Sequence, residues 1–339
     1  SNSLLSCGSW VRVPTESPLM KITEAIFAGS STRVDQKPKE RLPEIAFIGR
    51  SNVGKSSLIN AILKTHALII SPKPQTTRNS IRCIYNDNDS QIIFNDTPGF
   101  YNVTSSKDKL GIFLNDEINE ALEYSDVVLW IVDAGTKKLQ PDDFNMAEIL
   151  SASKTKLPVI LIANKSDVAN SENAFKLYDE IYKFHEKFSV SAKFKHGIDE
   201  LINALKLIIP EGEPIYDPEI LMDTTEKFVA SEIIREKILM LFRDEVPHCV
   251  AVNIEEYKSP EEFPERSGRK LYIRASLIVE TEGQKKILIG SNGNMIKKIG
   301  ALSRKSIEDV TGLPVFLELW VKVVEGWRKN QAALKRYIK

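Results

Sequence analysis

Nine residues, "GRSNVGKSS" at 49–57, carry a spacing suited to phosphate chemistry. Gly49, Gly54, Lys55 and Ser56 form the pattern in which successive backbone N–H groups surround phosphate oxygens, a lysine reaches the outer phosphates and a hydroxyl holds magnesium. The whole run, Gly49, Arg50, Ser51, Asn52, Val53, Gly54, Lys55, Ser56 and Ser57, is therefore expected to line a nucleoside-triphosphate site. The apolar run "EIAFI" before it predicts a buried strand. The residues from 56 to 64 predict a helix whose positive N-terminus faces the anion. This motif selects no base.

Three further stretches sharpen the chemistry. Asp96-Thr97-Pro98-Gly99 ends an apolar run. An aspartate there can hold magnesium through water, and the N–H of Gly99 can meet a terminal phosphate, so that the segment after it responds to that phosphate. Asn164, Lys165 and Asp167 lie in "ANKSD". The Asp167 carboxylate can accept from both the ring N–H and the exocyclic amino group of guanine, a pair adenine does not offer, while Lys165 lies over the base. "SAK", Ser191, Ala192 and Lys193, suits a loop whose backbone donates to the guanine oxygen.

These residues need a scaffold. With 339 residues the chain should hold about two domains. From 44 to about 207, strand-sized runs ("EIAFI", "QIIFND", "VVLWIVDA", "PVILIANKSD", "FSVSA") alternate with helical patterns, which predicts an α/β domain, 44–209, with a mostly parallel sheet and helices on both faces. Ligands in such a sheet sit beyond the carboxyl ends of the strands, where the motifs fall. Lys plus Arg and Asp plus Glu number 46 each, so overall charge points to no partner class. Cys7, Cys83 and Cys249 are far apart and lack C-x-x-C spacing, as expected in a reducing compartment without a disulfide framework or zinc site. The apolar runs are far shorter than the ~20 residues of a membrane span. "LLSC" at 4–7 lacks the basic and long apolar regions of a lipoprotein signal. Residues 1–43 are read as an extension, and those before Met20 show no periodic pattern, which suits a disordered segment or a leader.

Beyond a proline- and acid-rich linker at 210–222 the charge is polarised. Residues 211–265 hold 5 basic against 15 acidic residues, and residues 266–339 hold 16 basic against 6 acidic. The pattern over 223–339 reads helix, strand, strand, helix, helix, strand. In the last long helix, Met295, Ile296, Ile299 and Leu302 are expected to face inward and Lys297, Lys298, Arg304 and Lys305 outward. Gly290, Ser291, Asn292 and Gly293 stand between two of the helices. A GxxG loop there, in that element order, is the clamp of a KH domain and suits about four single-stranded nucleotides. Gly290, Ser291, Asn292, Gly293, Lys297 and Lys298 are the expected RNA contacts.

The four nucleotide motifs in this order resemble the translation-factor class of GTPases, and "SPKPQTTRNSIRCI" at 71–84 resembles the first switch of the Era GTPases. "GSNGNMIKKIGALSRKSIEDVTGLPVFLELWVKV" is similar to the C-terminal KH domain of the same family. The resemblance implies a P-loop GTPase domain followed by an α+β type II KH domain, with GTP or GDP and Mg2+ bound. It implies that one of Thr76 and Thr77, here Thr77, joins Ser56 and Asp96 at the metal, and that Lys55, Thr77 and Gly99 serve hydrolysis. It further implies a monomeric cytoplasmic factor for small ribosomal subunit assembly that grips single-stranded ribosomal RNA near its 3′ end, with peripheral contact at the inner membrane left open. Phe100 stands where many signalling GTPases carry a water-orienting glutamine, so slow intrinsic hydrolysis is expected. Asn52 resembles the asparagine that holds K+ in some related GTPases, and the plainer reading is that it stabilises the loop. Two departures stand out. Residues 21–63 resemble the start of EngB-type GTPases, which offers a large-subunit factor as an alternative; an RNA-binding scaffold with negligible turnover is another. Ser291 and Asn292 replace a usually basic pair, which should weaken phosphate attraction, with Lys285, Lys286, Lys297 and Lys298 nearby.

Overall fold

A computed structural model describes residues 43–73, 75–101, 108–153, 156–262 and 270–338. Residues 1–42, which include about half of the EngB-like stretch, and part of the segment after Gly99 (102–107) lie outside the described residues. The described residues form two units, one ending at Met222 and one beginning at Asp223.

In the first unit a six-stranded sheet runs in the order β2-β3-β1-β4-β5-β6, from β1 (Glu44–Ile48), β2 (Ile81–Asn86), β3 (Gln91–Asp96), β4 (Val127–Asp133), β5 (Val159–Asn164) and β6 (Glu186–Val190). All neighbours are parallel except β2, which pairs antiparallel with β3. All of β1, β3 and β5 is buried, as their unbroken apolar runs require in a sheet covered on both faces. The covering helices are α1 (Lys55–Ile62), α2 (Lys109–Glu123), α3 (Pro141–Ala152), α4 (Glu172–Asp179) and α5 (Ile198–Ile208). The chain leaves β1 towards β2 and β3 on one side and later returns to β4 on the other, so the strand order reverses beyond the carboxyl end of β1. A crevice forms at such a point, and the loop at 49–54 starts there.

Two readings change here. Residues 81–84, assigned to the switch loop, belong to β2. The stretch 210–222, proline-rich like a linker, lies along the edge of this sheet: Ile84 N donates to Leu221 O at 2.8 Å, and the Gln91 side chain accepts from Ile215 N and Tyr216 N and donates to Tyr216 O at 2.8–2.9 Å.

The second unit comprises α6 (Glu226–Leu241), the single turn α7 (Val246–Cys249), β7 (Ala251–Lys258), β8 (Leu271–Val279), α8 (Glu282–Ile289), α9 (Asn294–Thr311), β9 (Val315–Val323) and α10 (Gln331–Tyr337). Its sheet runs β7-β8-β9, antiparallel and then parallel. The parallel β8–β9 pair needs a crossover, which α8 and α9 supply. This is the helix-strand-strand-helix-helix-strand order of a type II KH domain with α7 and α10 added. Thr225 and Thr281 cap α6 and α8 by accepting Phe228 N and Gln284 N. The inward stripe of α9 is Ile299, Ser303 and Ile307, with Met295 packed against the same core, whereas Leu302 is 38% exposed. The helix is rotated from the face read in the sequence because the stripe recurs every four residues from Met295 and takes a small serine as its middle member.

No described helix is long and apolar enough to cross a membrane.

Candidate functional site

The phosphate loop is shaped by glycine. Gly54 is left-handed at φ 94°, and a Cβ there would meet Asn164 Nδ2 at 2.4 Å, so the turn into α1 excludes a side chain. The N-terminus of α1 has no side-chain cap and no acid in its first turn, which leaves its N–H groups for an anion. Lys55, 6% exposed, donates to the carbonyls of Gly49 (2.9 Å) and Arg50 (3.1 Å). Burial lowers its pKa to about 8, with Asp96 acting the other way. Arg50 contributes its carbonyl to this loop, while its side chain lies 3.5 Å from Asp143 Oδ1, which is buried in the first turn of α3 and also accepts from Tyr178. Asn52 Nδ2 donates to Pro72 O at 2.8 Å, tying the loop to the segment before Thr77.

Three oxygens drawn from far apart in sequence converge beside it. Ser56 Oγ donates to Asp96 Oδ2 at 2.7 Å, Thr77 Oγ1 donates to the same atom at 3.2 Å, and the two hydroxyls are 3.2 Å apart. Thr76 turns away and donates to Lys73 O at 2.7 Å. Asp96 is fully buried, which raises its pKa to about 6 against the opposing pull of Lys55, Ser56 and Thr77. Its Oδ1 has no hydrogen-bond partner. A buried, orphaned carboxylate oxygen beside two hydroxyls fits a hard cation that prefers oxygen ligands, as Mg2+ does. Gly99 packs so closely on the loop that a Cβ would lie 2.3 Å from Ser51 Oγ. Phe100 is 9% exposed and belongs to the core with Trp130 and Ile118, so it does not reach towards the phosphates.

The loops after β5 and β6 are tied to the phosphate loop and to each other by side chains. Asn164, 2% exposed, donates to Val53 O (2.9 Å) and accepts from Ala192 N (3.1 Å), so it joins two loops. Lys165 Nζ donates to Asn52 O and Asp133 Oδ2, both at 2.8 Å. Ser191 Oγ donates to Asp167 Oδ1 at 2.6 Å. A cavity of about 650 Å3 opens between these loops, lined by Ser57, Asn164, Lys165, Asp167, Ala192 and Lys193 among others. It is large enough for a nucleoside. Residues of the phosphate loop line this cavity and a smaller one that shares Gly54 and Ser57 with it and is also lined by Ser51, Lys55, Ser56, Thr77 and Gly99, whereas the Arg50 side chain turns to Asp143.

Three positioning contacts escaped the sequence reading. Asn60, buried in α1, clasps Leu68 through its donor and acceptor at 2.8 Å each, and its polarity inside "LINAIL" was the available signal. Glu117 of α2, 6% exposed, accepts from Ser80 N at 3.2 Å. Asp133 holds Lys165. The latter two depend on tertiary pairings that no local pattern reveals.

In the second unit, Gly290 (φ 71°), Asn292 (φ 53°) and Gly293 (φ 74°) turn the chain between α8 and α9. A Cβ on Gly293 would meet nothing within 4 Å, so its backbone is open to an approaching strand. Ser291, Asn292, Lys297 and Lys298 are exposed around this turn, at an uncapped helix N-terminus without first-turn acid.

Comparison with known proteins agrees with both units. A family described as "50S ribosome-binding GTPase" matches residues 44–165, and the KH domain family matches residues 245–328. The GTPase Era of Lacticaseibacillus paracasei is 42% identical over 294 residues, covering 86% of this chain and 94% of the relative. That of Thermotoga maritima is 43% identical, covering 84% and 93%. Among solved structures, Era in complex with MgGDPNP and nucleotides 1506–1542 of 16S ribosomal RNA superposes with a TM-score of 0.79 at 37% identity, covering 88% of this chain and 99% of that one. With such identity along most of both chains, the protein belongs to the Era family of GTPases.

Proposed function

We propose that this chain is a GTP-switched RNA-binding factor of small ribosomal subunit assembly. The observation that carries the nucleotide half is the meeting of Ser56, Thr77 and Asp96 around an orphaned carboxylate oxygen, 6% exposed Lys55 beside it. Magnesium, when bound there, offsets the charge of the outer phosphates. The free N–H groups of α1 receive those phosphates, and Lys55 exchanges its two backbone carbonyls for phosphate oxygens. Asp167 reads guanine in the cavity between the loops. Thr77 joins the metal in the GTP state, which orders the segment at 71–80, and Gly99 relays the terminal phosphate to the chain after it. Hydrolysis is slow, because buried Phe100 cannot orient water.

The RNA half rests on the open GxxG turn with its exposed lysines, and on the relative solved with a 16S ribosomal RNA fragment, which this chain resembles over 88% of its length. Single-stranded ribosomal RNA near the 3′ end is the substrate class for this grip. The bond from Asn52 Nδ2 to Pro72 O marks a place where an amide oxygen and a backbone carbonyl can share a monovalent cation, and K+ stimulation follows. Equal turnover in sodium and potassium buffers would remove that part of the proposal.

The test is RNA affinity and crosslinking with a GTP analogue or GDP bound, followed by identification of the bound sequence. A difference between the two nucleotides and recovery of small-subunit RNA are expected. Affinity indifferent to nucleotide would sink the switch, and recovery of large-subunit RNA would sink the assignment to the small subunit.

A further inference from the structure

The turn after β6 borders the guanine cavity through its lysines and carries an exposed aromatic ring that the nucleotide site does not use. Ser191 and His196 exchange backbone hydrogen bonds (3.0 and 3.2 Å), closing residues 192–195 into a tight hairpin. Lys195 is held left-handed at φ 59°, a conformation that disfavours any residue with a Cβ, and Gly197 follows at φ 72°. The constrained turn presents Phe194 at its tip, 54% exposed. His196 stacks on the ring (centroids 6.2 Å apart, planes at 29°), and Lys193 Nζ lies 5.0 Å from its centroid. Lys193 and Lys195, on either side, line the guanine cavity together with Lys64, and all three are exposed. Residues 193–196 include no acid.

The hairpin is also wired to the base-reading carboxylate. Phe194 N donates to Ser191 Oγ at 3.2 Å, and that hydroxyl donates to Asp167 Oδ1 at 2.6 Å. A base that occupies Asp167 competes for the oxygen that Ser191 now holds, so the backbone of Phe194 stands one hydroxyl away from the occupied or empty state of the cavity.

We propose that this hairpin is a second RNA contact, on the GTPase unit, where one unpaired base stacks on Phe194 while Lys193 and Lys195 meet the flanking phosphates, its geometry set by guanine occupancy through Ser191. The inference rests on the RNA-binding reading given above. A ring flanked by cations is what a sequence-tolerant single-strand site requires. An incoming base displaces the flexible ammonium from the ring face and gives it a phosphate in return. One ring is far too little apolar area for a protein partner, which needs roughly 800 Å2 per side.

The experiment uses the full chain with a single-stranded oligoribonucleotide carrying 4-thiouridine, in GDP and in a GTP analogue. Crosslinks are expected on the peptide containing Phe194, with yields that differ between the nucleotides. Phe194→Ala and Phe194→Leu should each weaken RNA binding about tenfold, the scale of one lost base stack, and Phe194→Trp should restore it. Replacing Lys193 and Lys195 by Gln should flatten the dependence of log K on log salt by about 1.4. Phe194→Ala should melt with the parent, since the side chain is half exposed. As the comparison, Lys297→Gln with Lys298→Gln reports on the KH turn. Should those KH changes abolish binding while Phe194→Ala alters it less than twofold and no crosslink maps to 191–197, the hairpin contact is overturned and the KH reading stands. If neither set matters, the RNA-binding reading falls first. Loss of a ribosomal protein, and not of RNA, from Phe194→Ala would also overturn the proposal.

Discussion

Asp96 and Lys55 are each held at a cost, and the cost shows which species the site is built for. Burial disfavours both charged forms, lowering Lys55 from the usual 10.5 to about 8 and raising Asp96 from 3.8 to about 6. Between about pH 8 and 10.5 the nucleotide-free fold has released a proton that the unfolded chain keeps, so stability rises with pH across that window. Between 3.8 and about 6 the fold keeps a proton on Asp96 that the unfolded chain has lost, so stability falls as pH rises there. Phosphate adds the countercharge that Asp96 only partly supplies to Lys55. GDP binding should therefore take up a proton above pH 8, and affinity should fall by up to about tenfold per pH unit beyond it. Calorimetry in buffers of different ionisation enthalpy checks this, and affinity flat to pH 9.5 would contradict it. Lys64 supplies a second prediction. It ends α1 at φ 56°, with Thr65 N donating to Asn60 O and Lys64 N to Ala61 O, the bond pair of a glycine-ended helix. Lys64→Gly should raise stability by about 0.5–1 kcal/mol in spite of the extra freedom it gives the unfolded chain, measured by chemical denaturation.

Periodicity predicts elements well where an element faces a single environment, and α9 shows where it fails. Several spacings of its apolar residues fit a helix, and the sequence reading chose one that includes Leu302. Packing chose the stripe through Ile299, Ser303 and Ile307, because a small residue lets the helix lie close to its neighbours. Ile299→Ala should cost about 2–5 kcal/mol and Leu302→Ala under about 1 kcal/mol, a contrast that denaturant titration of the two variants would show. β2 was hidden for another reason. It is an antiparallel strand at the sheet edge, its six residues only half buried, and its mixed pattern runs on directly from the polar switch residues without a turn signal to separate them. The site residues were legible because phosphate, metal and base chemistry fix their types and spacing. Asn164 shows the limit: it lines the cavity where the motif puts it, but the motif does not reveal that its amide spans Val53 and Ala192, a role set by two loops that meet only after folding. Glu117 and Asp133 do comparable work through pairings equally distant in sequence.

Across the molecule, composition divided the chain at 210–222, and the described contacts give that stretch a structural task. β2 would otherwise present an open edge, and an open edge is a template for association with other chains. Leu221 closes part of it by accepting from Ile84 N, Met222 bridges to Cys83, and Pro218 O accepts from Asn86 Nδ2 at 3.0 Å. Gln91, 8% exposed, accepts from Ile215 N and Tyr216 N and donates to Tyr216 O in this stretch, and it donates to Asn86 Oδ1 at 2.7 Å within the sheet. Removal of the stretch takes away both bonds to the Gln91 oxygen and one of the two from its nitrogen, each worth about 1 kcal/mol net. Two fragments separate a strap from a spacer. One that ends at residue 222 keeps the sheet edge closed and should melt as an intact unit with its own core. One that ends at residue 209 should lose about 3 kcal/mol, equivalent to about 6–12 °C in melting temperature, and should self-associate as its concentration rises. Calorimetry and light scattering on the pair decide the matter: equal melting and equal monodispersity would mean that 210–222 is only a spacer.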